Sequence, residues 1–169
     1  MWICLAKETY TFGLSNLENG LVQVRFVCHD SAMELVNLIY SSRLKTGTDP
    51  SELAKIHKAS LKNNPERNLT GILVFGEDHF LQCLEGGRTE VNNLYGRILK
   101  DQRHEQTLLI SYNQIPQREF EEWNMKLVIM GKKTKKLLRR FSESDEFNPS
   151  KMNSSSAFQF LLALRDQSG

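Results

Sequence analysis

Hydrophobic and polar residues alternate in blocks between residues 34 and 130, and these blocks predict an order of strands and helices. Short runs rich in β-branched and aromatic residues predict strands, and longer stretches with an apolar residue every three or four positions predict helices. The predicted strands are Glu34–Tyr40, Leu69–Phe75, Phe80–Leu84, Thr107–Tyr112 and Met125–Met130. The resulting order β-α-β-β-α-β-β is that of a ferredoxin-like α+β fold, with two helices on one face of a mixed sheet and an added edge strand.

The first helix has a strong start signal. Asp49 is a good cap, Pro50 suits the first helical position and Glu52 the third. The helix must end near Asn63-Asn64, because Pro65 disfavours helical geometry in the residue before it. The second helix follows Gly86-Gly87, which we expect to break the preceding strand, and its predicted cap is Thr89.

The ends of the chain differ from this core. Residues 41–48 are predicted to be a loop, so that Tyr40 closes the first strand. Beyond Gly131, lysines and arginines surround a few apolar residues, which predicts a short basic amphipathic helix. A last helix is predicted around Phe158, Leu161 and Leu162. We therefore expect a C-terminal helical appendage.

We divide the chain into an N-terminal extension at 1–32, a core domain at 33–131 and a C-terminal helical extension at 132–169. Within the first segment, Trp2–Leu5 and Leu21–Val27 are each typical of a short strand, but no downstream segment is an obvious partner for them.

Composition excludes several classes of protein. The 22 basic and 20 acidic residues give a net charge of +2, which is too balanced to indicate a nucleic-acid-binding surface. Cys4, Cys28 and Cys83 are too widely spaced to predict a disulfide framework or a zinc site, and they fit a reducing cytoplasm. No apolar run reaches the length that spans a bilayer. We expect a soluble cytoplasmic protein.

The candidate chemistry begins with a glutamine on an apolar strand face. In Phe80–Leu84 the period of two places Gln82 between two apolar residues, so its amide needs either backbone partners or a flat polar ligand. The first and third strands are adjacent in a ferredoxin-like sheet, which makes Tyr40 a neighbour of Gln82. A slot between the two helices, with Asn63-Asn64 and Arg97 at its rim, would suit a flat heteroaromatic molecule.

The motifs in this core closely resemble those of the BLUF domain, the blue-light sensor that binds FAD. The resemblance runs from about residue 33 to residue 131, with the motifs in the family's order and spacing. The matching motifs are Leu38-Ile39-Tyr40-Ser41-Ser42, Asn63-Asn64, Leu69-Thr70-Gly71-Ile72-Leu73, Phe80-Leu81-Gln82-Cys83-Leu84-Glu85-Gly86, Tyr95-Gly96-Arg97-Ile98, Asp101-Gln102-Arg103-His104 and Trp123-Asn124-Met125. The tail is similar to that of short stand-alone BLUF photoreceptors.

The resemblance implies roles for particular residues. Tyr40 would donate an electron to photoexcited flavin, and Gln82 would bridge Tyr40 to the flavin edge. The polar edge of the isoalloxazine would be held by Asn64, with Asn63 beside it, and Arg97 would face the ribityl or phosphate portion. The remaining contacts would be Asp101, Arg103 and His104 near that portion and Ile56, Ser60, Phe80 and Ile98 in the walls.

The same resemblance gives the last strand a signalling role. Trp123 and Met125 would lie on the strand that reports the light state, and either could occupy the pocket in the dark. Asn124 departs from the family, which usually has a small residue there, and alternation turns it away from its two neighbours.

The resemblance implies a photoreceptor without enzymatic activity. Its signal would leave through self-association and an unidentified protein partner, with no nucleic acid and no membrane involved.

Two other functions are compatible with the fold. An acylphosphatase-like enzyme would need an anion-cradling loop at 41–48, which lacks the glycine-rich sequence of such cradles. A ferredoxin-like RNA-binding module would need exposed aromatic residues on its central strands. Taken alone, Arg97 and Asp101 would be a surface ion pair one helical turn apart. Only a flavoprotein should purify yellow, so colour separates the three functions.

Overall fold

The computed structural model describes residues 34–49, 51–144 and 146–167. The predicted N-terminal extension, with its two candidate strands, lies outside the described residues, as do Pro50 and Met33. Five strands, four α-helices and two short 3-10 helices follow one another in the described part. In chain order they are β1 (Leu35–Leu44), α1 (Ser51–Asn63), a 3-10 turn (Pro65–Arg67), β2 (Thr70–Gly76), β3 (His79–Gly87), α2 (Arg88–Ile98), β4 (His104–Gln114), β5 (Lys126–Ile129), α3 (Lys132–Leu138), a second 3-10 turn (Pro149–Lys151) and α4 (Ser154–Asp166).

The strands form one mixed sheet in the order β4-β1-β3-β2-β5. All neighbours pair antiparallel except β2 and β5, which are parallel. The predicted α+β order is therefore confirmed, and β1 and β3 lie next to each other at the centre as expected. β4 bulges where its pairing shifts between Ile39 and Tyr40, so that Ile39 lies opposite Ser111 and Tyr40 opposite Leu109. Such bulges are common beside functional sites.

Each face of the sheet has its own apolar core, because side chains alternate along every strand. On one face α1 and α2 cover a cluster of β1, β2 and β3 residues that includes Leu38, Leu73 and Leu84. On the other face α3 and α4 cover Ile39, Val74 and further alternate residues of the same strands. The predicted C-terminal appendage thus packs directly on the sheet.

Several predicted boundaries were wrong. β1 continues through the expected loop to Leu44, and β3 runs on through Gly86-Gly87. Gly87, not Thr89, precedes α2, and no side-chain hydrogen bond caps that helix. β5 begins at Lys126, so Met125 lies before it.

The start of α1 agrees with its predicted cap, since the Ser51 N–H donates to the Asp49 carboxylate at 2.7 Å.

No helix in the described ranges is long and apolar enough to cross a lipid bilayer.

Candidate functional site

A slot lies between α1 and α2 above the centre of the sheet. It contains about 800 Å³ of empty space, including the part that is open to solvent. The slot is lined by Tyr40, Ile56, Ala59, Ser60, Asn63, Asn64, Arg67, Leu73, Gln82, Leu94, Arg97, Ile98, Asp101, Arg103 and His104. The structure therefore brings together residues from β1, α1, β2, β3, α2 and the start of β4.

The floor of the slot is a buried chain of polar contacts. Tyr40 and Gln82 lie directly opposite each other in the β1–β3 register, and only 1% and 5% of their surfaces are exposed. The Tyr40 hydroxyl donates to Gln82 Oε1. Gln82 Nε2 donates to Met125 Sδ at 3.2 Å. Among the described residues, the partners of the buried amide are thus a tyrosine and a thioether and not backbone groups.

Burial keeps the Tyr40 phenol protonated. Loss of solvent is the main cause that raises the pKa of its hydroxyl far above the ordinary value, and nearby Tyr95 and Asp101 raise it further. The Tyr95 ring lies 5.4 Å from the Tyr40 ring, centroid to centroid. A proton therefore leaves Tyr40 only if another change, such as loss of an electron, accompanies it.

Two amides stand where α1 ends. Asn64 is 2% exposed, and its Nδ2 donates to the Asn124 carbonyl at 2.8 Å. No hydrogen bond to Asn64 Oδ1 is found among the described residues, so this oxygen can accept one from a ligand. Asn63 is exposed at the rim. The Ser60 hydroxyl, one turn earlier, donates to the Ile56 carbonyl at 3.0 Å.

The three arginines of the slot differ in their partners. Arg103 is engaged with two carboxylates: its Nη2 lies 2.6 Å from Asp101 Oδ2 and its Nη1 lies 3.1 Å from Glu52 Oε2. The i,i+4 ion pair considered between Arg97 and Asp101 is therefore replaced by one between Asp101 and Arg103. Among the described residues, Arg97 donates only through Nε, to the Asn93 carbonyl at 3.2 Å. Arg67 makes no side-chain hydrogen bond within the described ranges.

His104 forms the end of the slot beside Arg103, and Phe80 packs against it. His104 Nδ1 lies 2.8 Å from Ser42 Oγ, and burial lowers the pKa of the imidazole. Phe80 is fully buried with its ring 4.8 Å from the His104 ring. Phe80 therefore lies behind His104 and does not line the slot itself.

Trp123 and Met125 lie on opposite faces of the sheet. Met125 is 2% exposed and belongs to the core beneath α1 and α2, beside Gln82. Trp123 packs against the other core, with its ring 5.9 Å from that of Phe120. The expectation that the two side chains share one strand face was wrong, because neither residue lies within β5.

Five residues of this region were not among the predicted site residues. Ala59 and Leu94 line the slot one helical turn from residues that were predicted, so helical spacing could have found them. Leu73 faces Gln82 in the β2–β3 register. Nothing in the sequence distinguishes Arg67. His57 was not among the predicted site residues, and its Nε2 lies 3.0 Å from the Met125 carbonyl.

Proteins with similar sequences include a light-regulated antirepressor and a photoactivated cyclase subunit. The blue light- and temperature-regulated antirepressor BluF of Escherichia coli (strain K12) is 30% identical over 93 residues, which cover 55% of this chain and 23% of that protein. The photoactivated adenylate cyclase subunit alpha of Euglena gracilis is 30% identical over 87 residues, 52% of this chain and 8% of that protein. The chain spans less than a quarter of the length of these relatives.

Solved structures agree with this similarity. BlsA in its photo-activated state superposes with a TM-score of 0.72 at 28% identity, covering 77% of this chain and 94% of BlsA. The dark-state structure of BlrB, a BLUF protein, gives 0.66 at 28% identity, covering 80% and 98%. The model of the BLUF family, sensors of blue-light using FAD, matches residues 35–126, more than half of the chain. The chain belongs to the BLUF family.

Proposed function

We propose that this protein is a blue-light photoreceptor in which Tyr40 and Gln82 carry the photochemistry of FAD held in the slot. One observation carries the proposal: the Tyr40 hydroxyl donates to Gln82, whose amide donates in turn to Met125, at the floor of the slot. Tyrosine is an oxidisable side chain, and a glutamine amide carries a donor and an acceptor at one end.

The residues of the slot fit the flavin ring of FAD. Side chains such as Ile56 and Ile98 offer apolar contacts from both helices. We propose that FAD binds through such contacts without covalent attachment. The free Oδ1 of Asn64, with Asn63 beside it, suits a ring edge that carries N–H and C=O groups. We place Leu73 and Leu94 among the apolar contacts as well.

The rim of the slot fits the charged part of the cofactor. Guanidinium groups pair well with phosphate oxygens, and Arg97 and Arg67 have their terminal nitrogens available in the described part of the chain. In this proposal Arg103 and Asp101 shape the end of the slot through their mutual ion pair, and His104 lies next to them.

Flavin that has absorbed blue light is a strong oxidant. Tyr40 would then lose an electron, and its hydroxyl proton would pass along the existing hydrogen bond to Gln82 Oε1. Return of the electron and proton would leave the Gln82 amide rotated or tautomerised. A donor newly directed into the slot would shift the absorption of bound FAD slightly to the red, and Nε2 of Gln82 would leave Met125 Sδ.

In this proposal the light state is passed on by contacts between proteins. Met125 links Gln82 to β5, and the edge strand β4 carries Leu108 and Leu109 with 46% and 47% of their surfaces exposed, which supports self-association. The chain would act as a sensor without enzymatic activity and would signal to a separate protein partner. We place it in the cytoplasm, where a thiol such as the free Cys83 stays reduced.

The proposal is tested with FAD-loaded Tyr40→Phe and Gln82→Ala proteins. Both should remain yellow, because most of the contact surface of the slot is intact, and both should lose the reversible red shift under blue light. Tyr95→Phe is the matched control: its ring adjoins Tyr40, but it has no hydrogen bond to Gln82, so its shift should match the wild type. A full shift in Tyr40→Phe or Gln82→Ala would refute the assignment.

A further inference from the structure

Three consecutive carbonyl groups before β5 are each held by a donor from elsewhere in the fold. The Gly71 N–H donates to the Trp123 carbonyl at 2.9 Å. Asn64 Nδ2 donates to the Asn124 carbonyl at 2.8 Å, and His57 Nε2 lies 3.0 Å from the Met125 carbonyl. The backbone that places Met125 is therefore fixed by one strand and by two side chains of the α1 region.

The location explains why side chains serve as donors here. β5 is an edge strand of the described sheet, and within the described ranges no further strand lies beyond it to pair with the carbonyls that lead into it. Asn64 directly follows α1, and its N–H donates to the Ser60 carbonyl at 3.0 Å, so it continues the last helical turn. Residues 57 and 64 are seven positions apart and therefore lie on the same side, two turns apart. His57 and Asn64 thus supply donors that a neighbouring strand would otherwise provide.

His57 acts as the donor in its contact with Met125, because a carbonyl oxygen can only accept. The neutral tautomer with its proton on Nε2 and the doubly protonated ring both satisfy this requirement. The imidazole is half-buried, so little water is available to replace it at the carbonyl.

Met125 is thus held at two points by different residues. Its sulfur accepts from Gln82 Nε2, and its carbonyl accepts from His57 Nε2. If light rotates the Gln82 amide, the sulfur contact is lost while the carbonyl contact can persist. His57 would then keep the Met125 backbone close to the position from which the sulfur contact re-forms.

We propose that His57 is a positioning residue for the photocycle, which shortens the lifetime of the light state by holding the Met125 backbone. The inference rests on the proposed function of Tyr40 and Gln82. It concerns the return to the dark, whereas flavin binding and the first red shift depend on other residues of the slot.

The experiment compares full-length, FAD-loaded variants after a pulse of blue light. His57→Leu removes the donor, and His57→Gln restores an N–H donor at a similar reach. His79→Leu is the matched control, because His79 is also half-buried and bonds a backbone carbonyl, that of Glu77 at 2.7 Å, in the β2–β3 turn. The measurements are the dark absorption spectrum, the size of the red shift and the time constant of dark recovery, with a urea midpoint for each protein.

We expect His57→Leu to keep the red shift and to lengthen the dark-recovery time by about fivefold or more, which is about 1 kcal/mol of barrier at 1.36 kcal/mol per tenfold. His57→Gln and His79→Leu should recover within about twofold of the wild type. A role confined to stability would lower the urea midpoint of His57→Leu and leave its recovery time unchanged.

The inference is overturned if His57→Leu recovers as fast as the wild type or faster, or if His57→Gln is as slow as His57→Leu. Should His57→Leu fail to fold, His57→Asn decides instead, because its shorter amide cannot reach the carbonyl and should slow recovery in the same way. A wild-type protein that binds FAD without a red shift refutes the proposed function and the inference with it. A normal wild-type shift with unchanged recovery in His57→Leu refutes the inference alone.

Discussion

The carboxyl group of Glu85 anchors the connection between β4 and β5, and its replacement gives a sharp prediction. Glu85 is fully buried on β3, on the sheet face covered by α4. Its Oε2 accepts from the backbone N–H groups of Glu119 and Phe120 at 3.0 and 2.9 Å. Its Oε1 has no hydrogen-bond partner among the described residues. Two backbone donors of one loop thus depend on a single side-chain oxygen.

The magnitude follows from those two donors. In Glu85→Ala both N–H groups lose their acceptor, and a buried unpaired donor costs about 1–3 kcal/mol. Phe120 is buried and Glu119 half-buried, so we expect a loss of about 2–4 kcal/mol in the free energy of unfolding. Glu85→Gln keeps an oxygen acceptor of the same reach, and we expect its loss to stay within about 1 kcal/mol.

The effect of pH on Glu85 has a definite sign. Burial is the main cause that raises the pKa of this carboxyl above its ordinary value of 4.5. The folded state therefore favours the protonated form, and the stability that this gives is present below the unfolded pKa and is lost as pH rises through the folded pKa. Glu85→Gln lacks this titration, so its stability relative to the wild type should improve between about pH 5 and about pH 8.

Urea unfolding of the FAD-free proteins at the two pH values measures both effects. Glu122→Ala is the control, since this glutamate is exposed in the same connection and its replacement should change stability by less than about 0.5 kcal/mol. Equal midpoints for Glu85→Ala and Glu85→Gln would mean that the two N–H groups are satisfied without the carboxylate, and the reasoning would fail.

Two further predictions concern the opposite faces of the sheet. Phe160→Ala should lower the free energy of unfolding by about 3–5 kcal/mol, since this ring of α4 is fully buried in the core between α4 and the sheet. The spectrum of bound FAD should stay unchanged, because the slot lies on the other face, and a displaced flavin spectrum would contradict this. Burial lowers the pKa of His104, so its contribution to stability is complete above the ordinary value of 6.5 and is lost as pH falls. His104→Gln should therefore flatten the fall in urea midpoint between about pH 7 and about pH 5.5, and an unchanged slope would count against this role.

The sequence predicted the centre of the site better than its rim. Alternation in β3 and the strand order of the fold were enough to place Tyr40 beside Gln82, because both follow from the period of two and from topology. The start of α1 was equally predictable, since Asp49 acts through a contact only two residues away. Contacts between residues close in sequence and the order of strands are therefore the features that this sequence predicted best.

Features that depend on distant contacts were not predictable. β1 extends to Leu44 because β3 and the bulged β4 pair with it on both sides, although residues 41–48 are polar enough to suggest a loop. Alternation predicted that Trp123 and Met125 lie on the same face of the sheet. Their side chains lie on opposite faces, because the chain before β5 does not keep the alternation of a strand. The partners of Arg103 also required the fold, because Glu52 lies 51 residues away along the chain.

Two residues of β3 hold the connection between β4 and β5 at two points, from opposite faces of the sheet. Gln82 and Glu85 are three residues apart, so the period of two directs one side chain toward the slot and the other toward α4. Gln82 holds Met125 through its sulfur, and Glu85 holds the Phe120 backbone through its carboxylate. In the proposed function, a rotation of the Gln82 amide would release the Met125 sulfur while the backbone contacts of the connection persist. Any resulting movement would begin at the Met125 side chain, and Trp123, two residues earlier, packs against the core beneath α4. On this geometry a change in one hydrogen bond in the slot can reach the far face of the sheet without any rearrangement of the strands themselves.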